Sequence, residues 1–161
     1  MHIRLVKPSD AEPIRSIYNV EVLGSTATFD LVPRTPEEQL VWMAEHRGPH
    51  PAIVAVDDEA VLGFGSLSAF RNRPAYATTV ENSVYVDAAN RGDGVGRALL
   101  EQLIVLAGQH GFHTLIARVG GGNQASIALH LACGFEMVGV ERQVGRKFNR
   151  WLDVSVLQRL L

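Results

Sequence analysis

Three glycines alternate with other residues between two arginines in Arg91-Gly92-Asp93-Gly94-Val95-Gly96-Arg97. An apolar strand-like run, Ser83-Val84-Tyr85-Val86, precedes them, and a stretch of helical periodicity, Ala98 to Ala107, follows. Glycines leave backbone N–H groups unobstructed, and the helix behind them adds the positive end of its dipole. Such a turn can hold a phosphate or pyrophosphate, with Arg91 and Arg97 as candidate partners. The spacing excludes two common rivals. A phosphate-binding loop of the Walker type needs Gly-Lys-Ser/Thr after four intervening residues, and none is present. A dinucleotide fingerprint reads G-x-G-x-x-G near the start of a βαβ unit, whereas this chain reads G-x-G-x-G after residue 90.

The order R-G-x-G-x-G after Val-Tyr-Val resembles the acetyl-CoA pyrophosphate loop of the GNAT N-acetyltransferase superfamily. Further blocks resemble the phosphinothricin and methionine sulfoximine N-acetyltransferases within it. They are Ser25–Phe29, Arg34–Glu38, Phe70–Tyr76, Thr79–Val86, Ser126–His130 and Val144–Asp153, in family order along nearly the whole chain. The resemblance implies an α/β (α+β) three-layer sandwich, with a central mixed, mostly antiparallel, twisted sheet flanked by helices. It implies acetyl-CoA as co-substrate, a homodimer, and a small amino acid or analogue as acceptor, phosphinothricin and methionine sulfoximine or sulfone leading. Another primary amine (a polyamine or a protein N-terminus) and a non-catalytic acyl-CoA sensor are the alternatives.

An amine attacks a thioester only as its free base, so the reaction needs a base, an oxyanion donor and a proton for the leaving thiolate. Glu81 is the expected base, matching the family's glutamate. By alternation it shares a strand face with Thr79, Ser83 and Tyr85, opposite Val80, Val84 and Val86. Main-chain N–H groups around Val84, Tyr85 and Val86 match those that bind the acetyl carbonyl in the family. Gly92, Gly94, Val95 and Gly96 form the pyrophosphate turn. Asp93 departs from the usual basic residue there and adds negative charge beside a phosphate. Asn123 and Ser126 open a second cofactor-side helix, where Asn123 reads equally as a pantetheine contact and as a plain N-cap. His130, one turn on, reads either as the acid for the thiolate or as a histidine packed on the sheet. Direct attack in a ternary complex is expected over an acetyl-enzyme, because Cys133 sits within a helix and has no evident base. Arg71 and Arg73 occupy an interstrand loop and could clamp a carboxylate or phosphinate through two-point bonds. The resemblance places Arg71, Phe29 and Tyr76 near the substrate.

The 161 residues fit one domain, expected to span 1–161. Hydrophobic residues are 47% and charged residues 20%, which places the chain among globular proteins. A net charge of −2 supplies no footprint for nucleic acid or an anionic membrane. Arg146, Lys147 and Arg150 lie among aromatics, but the acidic balance argues against nucleic acid there as well. One cysteine and six histidines show no metal spacing, and the lone thiol suits a reducing, cytoplasmic compartment.

Elements must position these residues. Ile3–Leu5 reads as a strand, and Ser9 with Glu12 as a capping box for a helix bearing Ile14, Ile17 and Tyr18. Thr35-Pro36-Glu37-Glu38 opens a second helix. Ala52–Val56 and Val61–Ala69 read as a hairpin, and Ala77–Val86 as a long strand. The helix after the glycine turn repeats Leu99, Leu103, Leu106 and stops at Gly111. Leu115–Val119, a helix capped by Asn123 and ending near Gly134, then strands Phe135–Glu141 and Trp151–Leu157 complete the order β-α-α-β-β-β-α-β-α-β-β.

Overall fold

A computed structural model describes residues 1–161. The elements run β1 (His2–Leu5), α1 (Ala11–Gly24), α2 (Pro36–Glu45), β2 (Ala52–Asp57), β3 (Ala60–Ala69) and β4 (Thr79–Val86). They continue with α3 (Val95–Gln109), β5 (Thr114–Gly120), α4 (Gln124–Ala132), β6 (Glu136–Lys147) and β7 (Arg150–Leu160). The expected order therefore holds element for element. One seven-stranded sheet runs β1-β2-β3-β4-β5-β7-β6, with every pair antiparallel except β4 and β5. Parallel neighbours need a crossover, which here is α3.

Alternation along β4 splits the core in two. Val80, Val84 and Val86 join the apolar cluster beneath α3, built on Leu99, Leu100 and Leu103. Tyr85 packs on the opposite face with Tyr18, Phe64 and the α1 residues Ile14, Ile17 and Val22. The helices thus cover both faces, giving three layers. Two of the expected helix signals form as read. Thr35 Oγ1 accepts from the Glu38 N–H at 3.1 Å while Glu38 returns the bond to Thr35 N–H. Gly111, with φ +80°, closes the end of α3.

The capping box expected from Ser9 and Glu12 does not form. A 3-10 turn at Pro8–Asp10 intervenes, and α1 begins at Ala11. Buried Asp10 takes over by accepting the Lys7 N–H at 2.8 Å and both Arg4 guanidinium nitrogens at 2.7 and 2.8 Å. Glu12 pairs with Arg15 instead.

Strands β6 and β7 extend beyond the expected bounds, because Phe148 and Asn149, at φ 50° and 58°, turn them into one long hairpin. A bulge between Glu141 and Gly145 bends β6, so the hairpin tip crosses toward the α1–α2 loop. There a Cβ on Gly145 would stand 2.2 Å from the Phe29 ring, so only glycine permits that approach. Lys147 is buried at the tip and donates to the Thr28 carbonyl at 2.9 Å and the Glu21 carbonyl at 3.4 Å.

Candidate active site

Strands β4 and β5 pair only from Thr79 with Thr114 to Asn82 with Ala117. Beyond that register they diverge, leaving one edge of Ser83–Val86 without a strand neighbour. The gap forms a cavity of about 520 Å³ between Ser83–Val86 on one wall and Ala117–Gly120 on the other. Asn123, Ser126, Leu129 and His130 of α4 close one side, and Arg91, Gly92, Gly94, Val95, Gly96 and Arg97 form the mouth. The glycine turn, the β4 edge and the α4 start, separated in sequence, are brought together as expected.

The mouth suits an anion. Gly94 is the N-cap of α3 at φ +81°, a region L-residues avoid, and no side chain caps the helix. The first-turn N–H groups are consequently available, with no acidic residue in that turn. Exposed Asp93 lies beside the turn without capping it. Arg97 pairs with Glu101 at 2.7 Å on the exposed helix surface. Arg91 bonds Glu21, a buried α1 carboxylate that also lines the cavity and receives Ser25 Oγ at 2.5 Å. Glu21 was not anticipated, since nothing in an isolated helix marks which acid faces a distant loop.

Asn123 Oδ1 accepts the Ser126 N–H at 3.1 Å, so the N-cap role forms while Asn123 also lines the cavity. His130 is buried, with its ring edge-on to Phe135 at 5.0 Å. Its Nδ1 lies 2.8 Å from the Ser126 carbonyl and its Nε2 2.9 Å from Asn82 Nδ2. A carbonyl only accepts and an amide nitrogen only donates, so the proton sits on Nδ1 and Nε2 is the acceptor. Burial, outweighing the Ser126 bond, holds the imidazole below its usual range. His130 is therefore neutral at pH 7, with its single proton committed to the backbone. Asn82 was missed by the sequence reading, yet it carried a signal: an amide on the face otherwise holding Val80, Val84 and Val86. Its Oδ1 is buried without a hydrogen-bond partner.

Glu81 lies on the other face of β4, half-buried, and outside the cavity lining. The structure does not bring it together with His130. Burial raises its carboxyl above the usual range, with Arg118 pulling down and Glu141 pushing up. Those two neighbours pair with each other at 2.5 Å, from β5 to β6 over the intervening β7. A raised carboxyl is a stronger base than an exposed one. Arg71 and Arg73 are exposed in the β3–β4 loop, near the start of the strand that carries Glu81, and do not line the β4–β5 cavity. The Arg71 guanidinium lies 4.8 Å from the Phe70 ring centre and 5.5 Å from that of Tyr76. Tyr76 is half-buried and edge-on to Phe70 at 5.5 Å. Phe29 sits against the backbones of Gly120 and Gly145, where the hairpin tip meets the α1–α2 loop. No group of three or more metal-ligating side chains is assembled.

A family profile described as an acetyltransferase (GNAT) domain matches residues 3–156. A phosphinothricin N-acetyltransferase of Streptomyces coelicolor is 40% identical over 156 residues, covering 94% of this chain and 91% of that protein. An L-methionine sulfoximine/L-methionine sulfone acetyltransferase of Pseudomonas paraeruginosa is 40% identical over 158 residues, covering 97% and 92%. The solved structure of a GNAT superfamily phosphinothricin acetyltransferase from Sinorhizobium meliloti, in complex with acetyl-CoA, superposes with a TM-score of 0.95 at 40% identity. That match covers 99% of this chain and 88% of the other. An uncapped helix behind a glycine turn, at the mouth of a cleft where two parallel strands part, and a matching profile along almost the whole sequence lead to one conclusion: the chain belongs to the GNAT acetyltransferase family.

Proposed function

We propose that the protein transfers the acetyl group of acetyl-CoA to the α-amino group of a small amino acid or analogue, phosphinothricin and methionine sulfoximine or sulfone being the leading acceptors. The observation that carries this reading is the uncapped α3 N-terminus opening onto the β4–β5 cleft. The pyrophosphate takes the free N–H groups of that first turn, and Arg91 and Arg97, which flank the turn and line the cleft, exchange Glu21 and Glu101 for it. The pantetheine arm replaces the missing strand neighbour along Ser83–Val86, and the orphan Asn82 Oδ1 offers an acceptor to one of its amide N–H groups.

The β4 backbone N–H groups then hold the thioester carbonyl and the oxyanion that develops on it. The amine approaches from the Glu81 face, loses one proton to that carboxylate, and attacks the carbonyl carbon in a ternary complex. As the tetrahedral adduct collapses the C–S bond breaks, and the proton still carried by the attacking nitrogen passes to the departing CoA thiolate. Cys133 is buried and burial pushes its thiol upward, which disfavours an acetyl-enzyme. His130 acts by fixing Asn82, since its own proton is held by Ser126. Arg71, with Arg73 beside it, meets the acceptor's carboxylate, and both charges disfavour a polyamine. Phe29 and Tyr76 supply apolar walls.

Met137, Val138, Val140, Val144 and Trp151 leave β6 and the hairpin tip with an exposed apolar surface, which supports a homodimer through that edge. A free, buried Cys133 supports a reducing, cytoplasmic setting. Thiol release from acetyl-CoA should appear with phosphinothricin or methionine sulfoximine. Turnover with spermidine or a peptide N-terminus, and none with either analogue, overturns the acceptor assignment.

A further inference from the structure

Strands β3 and β4 pair so that Ser68 stands directly across from Glu81. Opposed residues of an antiparallel pair project on the same face, with Cβ atoms about 4.5–5.5 Å apart. The residue that ends α2, His46, reaches this face. Its Nε2 lies 3.1 Å from Ser68 Oγ and its Nδ1 lies 2.7 Å from the Trp42 carbonyl oxygen. The ring is also stacked on Trp42 at 4.2 Å between centroids, which fixes its orientation.

Counting protons gives this row a direction. The Trp42 carbonyl can only accept, so Nδ1 carries the imidazole hydrogen. Burial, ahead of the Trp42 bond, holds His46 below its usual range, and the ring is neutral with Nε2 bare. Ser68 must then donate its only proton to Nε2. What the hydroxyl has left is lone pairs, and the residue across from it is Glu81. An ionised Glu81 has no proton to give, and it makes no hydrogen bond in the structure: burial, Arg118 and Glu141 are all that perturb it. A protonated Glu81 would find an acceptor already oriented.

We propose that Trp42, His46 and Ser68 form a polarised chain that accepts a hydrogen bond from Glu81 once it has taken the amine proton, which makes Ser68 and His46 positioning residues for the base. The inference rests on the reading of Glu81 as that base. The proton balance is simple. An N–H bond of the amine breaks, an O–H bond forms on Glu81, and that O–H donates to Ser68 Oγ, with no proton leaving Ser68 or His46. Stabilising the protonated carboxyl strengthens the base. The charged groups bearing on Glu81 are Arg118 and Glu141, and those bearing on His46 are Arg34, Glu45 and His50. None of them lies between Ser68 and Glu81 in the strand register.

The test compares pH profiles of kcat/KM for the wild type with Ser68→Ala, Ser68→Thr, His46→Phe and Glu81→Gln. Ser68→Ala should lower kcat about three- to thirtyfold and move the acid limb to lower pH, leaving the acetyl-CoA KM in place. Ser68→Thr keeps the hydroxyl and should restore both. His46→Phe keeps a ring against Trp42 but removes the acceptor, so it should reproduce the Ser68→Ala profile, with no further loss in the double variant. Glu81→Gln should abolish the limb altogether. If that limb survives in Glu81→Gln, the base is elsewhere and the functional reading fails with the inference. If Glu81→Gln removes the limb while Ser68→Ala, folded by circular dichroism, leaves it unmoved, the base stands and the chain is overturned.

Discussion

Asn82 on β4 donates its side-chain amide to Nε2 of His130 on α4 at 2.9 Å, where both residues line the β4–β5 cleft. The bond ties the strand just where β5 leaves it to the helix that walls the cavity. It leaves Asn82 Oδ1 as a buried acceptor with no partner. A buried acceptor without a donor is costly, and a ligand N–H relieves that cost on binding. Asn82→Ala removes the orphan acceptor itself but should lower stability by about 1–3 kcal/mol, since Nε2 of His130 is then left buried and unpaired. Calorimetry should also show acetyl-CoA binding weakened several-fold. Full affinity in a folded variant would remove Asn82 from the cofactor site.

His130 gives this region a pH dependence. Its folded-state pKa lies below the ordinary histidine value because burial disfavours the imidazolium. As pH falls through about 6.5 the unfolded chain takes up a proton that the folded chain refuses. The unfolded state binds more protons there, so the contribution to stability is present above that pH and is lost below it. His130→Gln should show a smaller fall in Tm between pH 7.5 and 5.5 than the wild type. His46, also depressed by burial, should keep part of the slope in that variant. A slope unchanged from wild type would mean that His130 protonates freely in the fold.

Gly94→Val tests the mouth of the cleft. The φ of +81° at this position strains any β-branched residue, and the new side chain would crowd the exposed first turn of α3. Affinity for acetyl-CoA should fall at least tenfold, about 1.4 kcal/mol. The substitution meets no packed atom within 4 Å, so the fold should persist. Unchanged affinity would place the pyrophosphate elsewhere.

Periodicity made the fold legible. The α3 repeat of Leu99, Leu103 and Leu106, the alternation in β4, and the Thr35 and Asn123 caps are local signals, and each formed where local chemistry put it. Failures came where a distant partner decided. Ser9 and Glu12 had the spacing of a capping box, but Arg4 reached Asp10 from the neighbouring strand and closed a different turn. The β6–β7 hairpin looks like two shorter strands in the sequence because its tip, Phe148-Asn149, lacks glycine and the bulge at Glu141–Gly145 breaks the alternation. The glycine turn was legible because its function needs residue types in a fixed local spacing. The links Glu21–Arg91, Asn82–His130 and Ser68–His46 join elements separated by 70, 48 and 22 positions, and no local pattern announces them.

Asp10 holds the β1–α1 corner away from the cleft, which separates stability from catalysis. Burial alone would raise its carboxyl, but the Arg4 guanidinium and the Lys7 N–H hold it below the usual carboxylate range. Removing Asp10 leaves a partly exposed Arg4 guanidinium and the Lys7 N–H without their acceptor, so Asp10→Ala should cost about 1–3 kcal/mol. The pair's contribution is present above the ordinary aspartate pKa of about 3.9 and lost as pH falls below it. Chemical denaturation at pH 7 and pH 3 should therefore show the variant's deficit shrinking in acid. Equal deficits at both pH values would point to packing rather than charge.

The proposed acceptor class is tested most directly at Arg71. Its guanidinium rests over Phe70 and Tyr76, with no carboxylate partner among the ion pairs of the structure. Stacking on two rings orients the planar fork while leaving its N–H groups free for a ligand. Losing one charge-assisted contact is worth roughly 1.5–3 kcal/mol, so Arg71→Ala should lower kcat/KM for phosphinothricin or methionine sulfoximine about ten- to a hundredfold. The acetyl-CoA KM should stay in place. Arg71→Lys should recover only part, because an ammonium makes neither the two-point bond nor the same stack. The sharper comparison uses an acceptor stripped of its carboxylate. Wild type should handle it poorly, and Arg71→Ala should lose little more, since the partner group is already gone. If the variant loses equal activity on carboxylate-bearing and carboxylate-free amines, Arg71 supports the loop rather than the acceptor. Arg73 would then be the group to replace.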